Sequence, residues 1–118
     1  MKQSPAISVL MPVRNARETV TAAIESVVVQ SFTDWELVVV DDGSQDGTTE
    51  LLRQIVADET RMVLIEQEPK GIAEALNRGL ASCRSEFVAR MDADDVMSER
   101  RLEIQSKFLA ANRDFGLV

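Results

Sequence analysis

A chain of 118 residues can build one hydrophobic core and not two, and with 45% hydrophobic residues it is not a disordered chain. Thirteen basic against twenty acidic residues give a net charge of -7, with the cations scattered along the sequence, which excludes a duplex nucleic-acid partner. Histidine is absent, so any metal must be held by oxygen, which favours Mg2+ or Mn2+ over Zn2+.

Met1-Lys2-Gln3-Ser4-Pro5 leads straight into a short apolar run without the features of a signal peptide, and no stretch has the apolar length that spans a bilayer. The expected setting is cytoplasmic, with peripheral association at the inner face of a membrane left open. Ile7-Ser8-Val9-Leu10-Met11 reads as a strand stopped by Pro12. Val20, Ala23, Ile24, Val27 and Val28 then recur at helical spacing, and Asn15 with Glu18 three residues on reads as a capping box for that helix. Glu36-Leu37-Val38-Val39-Val40 is a second strand whose apolar run suits burial on both faces, and it gives way to Asp41-Asp42-Gly43-Ser44.

Leu51, Leu52, Ile55 and Val56 mark a second helix, Met62-Val63-Leu64-Ile65 a third strand, and Ile72, Ala75, Leu76 and Leu80 a third helix. Cys83, the single cysteine, excludes an intramolecular disulfide and reads as a small core filler. Phe87-Val88-Ala89-Arg90-Met91 is a fourth strand running into Asp92-Ala93-Asp94-Asp95. A last helix is expected from near Ser98 to about Asn112, and Phe115-Gly116-Leu117-Val118 reads as the opening of a fifth strand. Four strand-helix units in succession predict an α/β fold in one domain over residues 1–118, a mostly parallel sheet with helices on both faces.

In such a sheet, ligands bind beyond the carboxyl ends of the strands, where strand order reverses. Three segments are expected to meet there: Pro12-Val13-Arg14-Asn15, Asp41-Asp42-Gly43-Ser44 and Asp92-Ala93-Asp94-Asp95. Like charges gathered at one rim raise one another's pKa, and a bound dication relieves that repulsion. Aspartates after strands also cap helices and brace turns, which is the preferred reading for Asp41 and for Asp46. Asp92 and Asp94 are alternate residues leaving a strand and can aim both carboxylates into one small volume, as a hard six-coordinate cation requires. No G-x-x-x-x-G-K-[ST] is present, nor a G-x-G-x-x-G after the first strand, so neither a Walker loop nor a dinucleotide-binding Rossmann domain is indicated.

Five segments in order resemble the amino-terminal half of a family 2 glycosyltransferase of the GT-A fold: Ser8 to Asn15, Gln30 to Leu37, Val40 to Thr48, Gly71 to Gly79 and Phe87 to Asp95. The resemblance implies a three-layer αβα Rossmann-like sheet with strand order 3-2-1-4, ending before the acceptor-binding half. It implies a nucleotide pocket at Pro12, Val13 and Asn15, with Asp42 on the base and Asp92 shared between ribose and metal. Asp94 would coordinate Mg2+ or Mn2+ directly, and Asp41, Gly43 and Asp95 would support the site. Lys70 stands near where such enzymes place a basic nucleotide contact, and by itself reads as a solvated lysine.

The implied activity is metal-dependent transfer from a nucleoside-diphosphate sugar, first of all a UDP-sugar, to a hydroxyl acceptor with inversion. The acceptor would be a saccharide or lipid-linked sugar in surface-polysaccharide synthesis. The general base of similar enzymes comes from a segment after Gly116-Leu117-Val118, so no residue of the chain matches it, and Trp35 and Phe32 read as core anchors rather than sugar contacts. A chain ending at Val118 is accordingly expected to transfer weakly or not at all, and to self-associate through an exposed sheet edge. Two other readings compete: a non-catalytic nucleotide-binding or assembly module, and a receiver-type signalling domain. The receiver reading fits poorly, because its acid pair would follow the first strand, where Pro12 stands.

Overall fold

A computed structural model of the protein describes residues 4–111. The elements alternate as β1 (Ile7–Val13), α1 (Val20–Val28), β2 (Trp35–Asp42), α2 (Thr48–Ala57), β3 (Met62–Gln67), α3 (Ile72–Ser82), β4 (Val88–Arg90) and α4 (Arg101–Ala111). The four strands form one parallel sheet in the order β3-β2-β1-β4. This is the order implied by the resemblance, and it puts β1 and β2 at the centre.

Side-chain alternation along β1 and β2 divides the core between the two faces. Val9, Met11, Val13, Leu37 and Val39 join Val20, Ile24 and Val27 of α1, Leu52 of α2 and Leu102 of α4 in the larger cluster. Leu10, Val38 and Val40 on the other face pack against Ala75 of α3. Every residue of β2 is buried, since both its faces and both its edges are covered. Trp35 lies in the larger cluster, with Phe32 packed against it and the Arg61 guanidinium stacked 3.8 Å above the Trp35 ring.

The third helix buries Ala75 and packs Leu76 against the core as its periodicity predicts, but not Ile72 or Leu80. Ala75 and Gly79 are its buried residues, whereas Ile72 and Leu80 are 55% and 45% exposed. The reason is close approach. A Cβ on Gly79 would lie 2.2 Å from Leu10 Cδ1 and 3.0 Å from Val40 Cγ2, so only a bare backbone lets α3 sit this near the sheet. The last helix begins at Arg101, later than expected, because Met97 is tied to Ser26 of α1 and Ser98 to Gln30, and residues 99–100 form a turn before the helix. Its expected end at Asn112 and the strand expected at Phe115–Val118 lie outside the described residues.

At the amino ends of the strands, Glu36 is the one buried glutamate among the described residues. It accepts from Ser8 Oγ at 2.5 Å, Arg84 N at 2.6 Å and Arg84 Nε at 3.0 Å. Burial pushes its carboxyl up, but these hydrogen bonds and the Arg84 charge outweigh burial and hold it below the ordinary glutamate value. Cys83 is half-buried beside this network, and burial, followed by the charge of Glu36, pushes its thiol up.

Candidate functional site

The site lies at the carboxyl ends of β1, β2 and β4, and Pro12 shapes it. Rather than stopping β1, Pro12 is part of it, paired with Val40 of β2. Ser8 N–H donates to Phe87 and Leu10 C=O accepts from Met91, so the even-numbered residues of β1 turn their backbone groups toward β4. Pro12 has the same parity and no N–H to offer. The β1–β4 ladder therefore ends at Leu10 and Arg90, and β4 is three residues long. Beyond Met91 the chain is released from the sheet and folds into the turn carrying Asp92, Asp94 and Asp95.

Asn15 does not cap α1. The helix starts at Val20 with Thr19 at its N-cap, and Asn15 sits in the left-handed region at φ 51°. That conformation lets it join two loops: its N–H donates to Ser44 Oγ at 2.8 Å, and its Oδ1 accepts from Gln45 N at 2.7 Å. Asp41 is buried and accepts from Ser44 Oγ at 2.5 Å and from Thr49 Oγ1, so its carboxylate braces the turn into α2. Asp46 does the same for Thr48, taking its N–H at 3.1 Å and its hydroxyl. Gly43 has φ 72°, and a Cβ there would meet Pro69 Cδ at 2.4 Å, so this turn admits only glycine.

Asp42, 4% exposed, faces the other way along β2. Its Oδ1 accepts from Gln67 Nε2 and Lys70 N, both at 2.8 Å, and its Oδ2 from Gly71 N at 3.0 Å. Burial pushes this carboxyl up, but the three hydrogen bonds, with the Arg14 charge, outweigh burial and hold it below the ordinary aspartate value. Asp42 thus ties the loop between β3 and α3 to the sheet. Together with Pro12, Val13, Arg14, Gly71 and Ile72 it lines a cavity of about 190 Å³. Lys70 contributes its backbone N–H to this arrangement, and its side chain is exposed.

A second cavity of about 270 Å³ is lined by Pro12, Arg14, Asn15, Thr19 and Asp94 among others. The two cavities share Pro12 and Arg14, so they adjoin one another, with Asp42 lining one and Asp94 the other. Asp92, Asp94 and Asp95 are exposed, and each offers a carboxylate oxygen within 4.8 Å of the others. In an octahedral Mg2+ shell, oxygens at about 2.1 Å from the ion stand roughly 3 to 4.2 Å apart, so these groups need only small rotations to share one cation. Asp95 Oδ2 also accepts from Asp92 N at 3.2 Å, which closes the turn, and Asp92 Oδ1 accepts from Arg90 at 3.3 Å. Asp94 has no hydrogen bond or ion pair among the described residues.

Two side chains with no role assigned from the sequence hold the segment that follows this acidic turn. Ser26 Oγ accepts from Met97 N at 2.9 Å. Gln30 Nε2 donates to Ser98 O at 2.5 Å while its Oε1 accepts from Leu102 N at 3.0 Å. Their signal in the sequence is a pair of polar residues on the apolar line of α1 and its end, and Gln30 opens one of the segments that carry the resemblance. Arg14 likewise went unassigned, although it is the cation between the two acidic segments.

The sequence pattern described as "Glycosyl transferase family 2" matches residues 8–117. The chain belongs to glycosyl transferase family 2. Among its relatives is the "Putative glycosyltransferase EpsE" of Bacillus subtilis (strain 168), 38% identical over 120 residues that take in 100% of this chain and 43% of the relative. Staphylococcus aureus TarS 1-349 in complex with UDP-GlcNAc superposes with a TM-score of 0.83 at 26% identity, over 91% of this chain and 32% of that one. Mannosyltransferase PcManGT from Pyrobaculum calidifontis, in complex with GDP-Man and Mn2+, gives 0.82 at 29% identity, over 92% and 33%. The family 2 chain described here thus spans less than half the length of these proteins. Membership in the family sets aside the receiver-type reading. No helix among the described residues is long and apolar enough to cross a membrane.

Proposed function

We propose that this family 2 chain is the donor-binding part of a glycosyltransferase, and that its groove takes a nucleoside-diphosphate sugar, first of all a UDP-sugar, with Mg2+ or Mn2+. The observation that carries this reading is the pair of adjoining cavities, taken together as one groove, with the buried Asp42 lining one and the exposed Asp94 the other. One end has apolar walls from Val13, Ile72 and Ala75 and suits a base. The other carries an all-oxygen donor set suited to a hard cation. The solved relatives with UDP-GlcNAc, and with GDP-Man and Mn2+, lend this reading support.

In this reading Asp94, which no group among the described residues engages, holds the metal directly. Asp92 shares the metal and the ribose, and Asp95 keeps the turn closed through Asp92 N. When bound, the metal supplies Lewis-acid stabilisation of the charge that develops on the leaving diphosphate. The chain's own contribution is orientation. Pro12 and Val13 fix the floor between the two ends, and Asn15 locks the β1–α1 loop to the β2–α2 loop. Asp42 holds the wall at Lys70 and Gly71, and the remaining lone pair on its Oδ2 is available to a base. The inverting course and an acceptor of saccharide or lipid-linked type in surface-polysaccharide assembly rest on the sequence resemblance alone.

Calorimetric titration with UDP, GDP and TDP, each with and without Mn2+, tests the proposal. Nucleotide binding that needs the metal and favours UDP is the expected outcome. A chain that gives no heat with any of the three is not a donor site, and the non-catalytic assembly module would then be the better reading.

A further inference from the structure

We propose that Arg14 is the phosphate-contacting side chain of this groove, acting on the α-phosphate of the bound nucleotide. The inference rests on the donor-binding reading above and assigns a role within it that the family motif residues leave open. Among the described residues Arg14 is the one basic side chain lining either cavity, and it lines both. A nucleotide whose base lies toward Asp42 and whose terminal phosphate lies toward Asp94 has its α-phosphate between them, where Arg14 stands.

The charges around it make a cation necessary there. The ionised groups otherwise lining the groove are Asp42 at one end and Asp94 at the other, with Asp92 and Asp95 beside it, all negative. A diphosphate entering so acidic a groove needs more than one positive partner. A guanidinium also offers paired donors matched to phosphate oxygens.

Arg14 is also uncommitted and well mounted. Arg53, Arg61, Arg84, Arg90 and Arg100 each form an ion pair with a carboxylate, and Arg101 donates to the Arg90 carbonyl. The Arg14 guanidinium has no hydrogen bond or ion pair among the described residues, and it acts on Asp42 only through its charge. Its backbone lies between Val13, which is 2% exposed, and Asn15, whose N–H and side chain are both bonded to the β2–α2 loop. An exposed, free head on a rigid stem costs little order on binding.

The test compares uridine, UMP and UDP by NMR titration in Mg2+ on the wild-type chain and on Arg14→Ala, Arg14→Lys and Arg14→Tyr. Loss of a charge-assisted hydrogen bond corresponds to about 10- to 100-fold in affinity. Arg14→Ala is expected to lose that factor for UMP and UDP while changing uridine less than about twofold. Arg14→Lys should recover part of the loss, and Arg14→Tyr, which keeps a flat surface without the charge, should recover none for UDP. Arg14 is exposed, so an unchanged amide spectrum will confirm that each variant folds. Equal losses for uridine and UDP, or rescue by tyrosine, would show that Arg14 stacks on the base and would overturn the assignment. Unchanged affinity of Arg14→Ala for UDP would overturn it while leaving the donor reading intact. If the wild-type chain binds none of the three, both fall.

Discussion

Replacing Asp42 by asparagine separates the two tasks placed on that carboxylate. Asp42 accepts three hydrogen bonds, from Gln67 Nε2, Lys70 N and Gly71 N, at 2.8 to 3.0 Å. Asparagine keeps one accepting oxygen and sets an N–H2 against a donor, so at least one of the three bonds is lost and the others lose their charge assistance. A hydrogen bond to a charged group contributes about 1.5–3 kcal/mol, and water can reach part of the loop, so a loss of about 2 kcal/mol is expected. With a urea slope of about 1–2 kcal/mol/M for a chain of this size, the unfolding midpoint should fall by roughly 1–2 M. The variant should still fold, because a domain typically has about 5–15 kcal/mol of stability. The sign with pH follows from the lowered carboxyl. Its contribution is present above the ordinary aspartate value, near about 3.9, and is lost as pH falls through the lower folded value, so the gap between wild type and variant should narrow as pH falls below the ordinary value. UDP affinity should drop as well, even where the variant is fully folded. A midpoint within about 0.3 M of wild type, or a gap that is the same at low and neutral pH, would refute the role of Asp42 as a strut.

Other substitutions probe the frame around the site. Gly79→Ala sets a methyl 2.2 Å from Leu10 Cδ1, and overpacking of this kind should destabilise by about 1–3 kcal/mol in urea melts. An unchanged midpoint would mean that α3 does not lie this close to the sheet. Glu36→Gln breaks a buried pair whose Arg84 partner is 48% exposed, so the cost should be about 2–3 kcal/mol, below the value for a fully buried pair. That loss should also shrink as pH falls below the ordinary glutamate value, since the wild-type carboxyl is held low, while UDP affinity at neutral pH should hold.

The order of strands and helices was legible because each strand is a compact apolar run and each helix has its own period. The convergence of Pro12–Asn15, Asp41–Ser44 and Asp92–Asp95 followed from strand ends alone. What was not legible depends on partners far away in the chain. Pro12 reads as a stop until β4 is seen to need no N–H from it. Asn15 and Glu18 have the spacing of a capping box, yet Asn15 is drawn away by Ser44 and Gln45, about thirty residues on. Asp42 reads as a ligand group, and its bonds to Gln67, Lys70 and Gly71 emerge only once β3 is placed beside β2. Ile72 and Leu80 look like core residues because nothing local reveals that Gly79 marks the line of closest approach.

The central claim is that Asp94 holds the cation through which the groove binds a nucleoside diphosphate. It is tested most directly by measuring UDP affinity across a Mn2+ series on the wild-type chain and on Asp94→Ala. Asp94 is exposed and makes no hydrogen bond or ion pair among the described residues, so the substitution should leave the unfolding midpoint where it is. The account predicts that Mn2+ tightens UDP binding to wild type and has no effect on the variant. Equal Mn2+ dependence in the two proteins would contradict it.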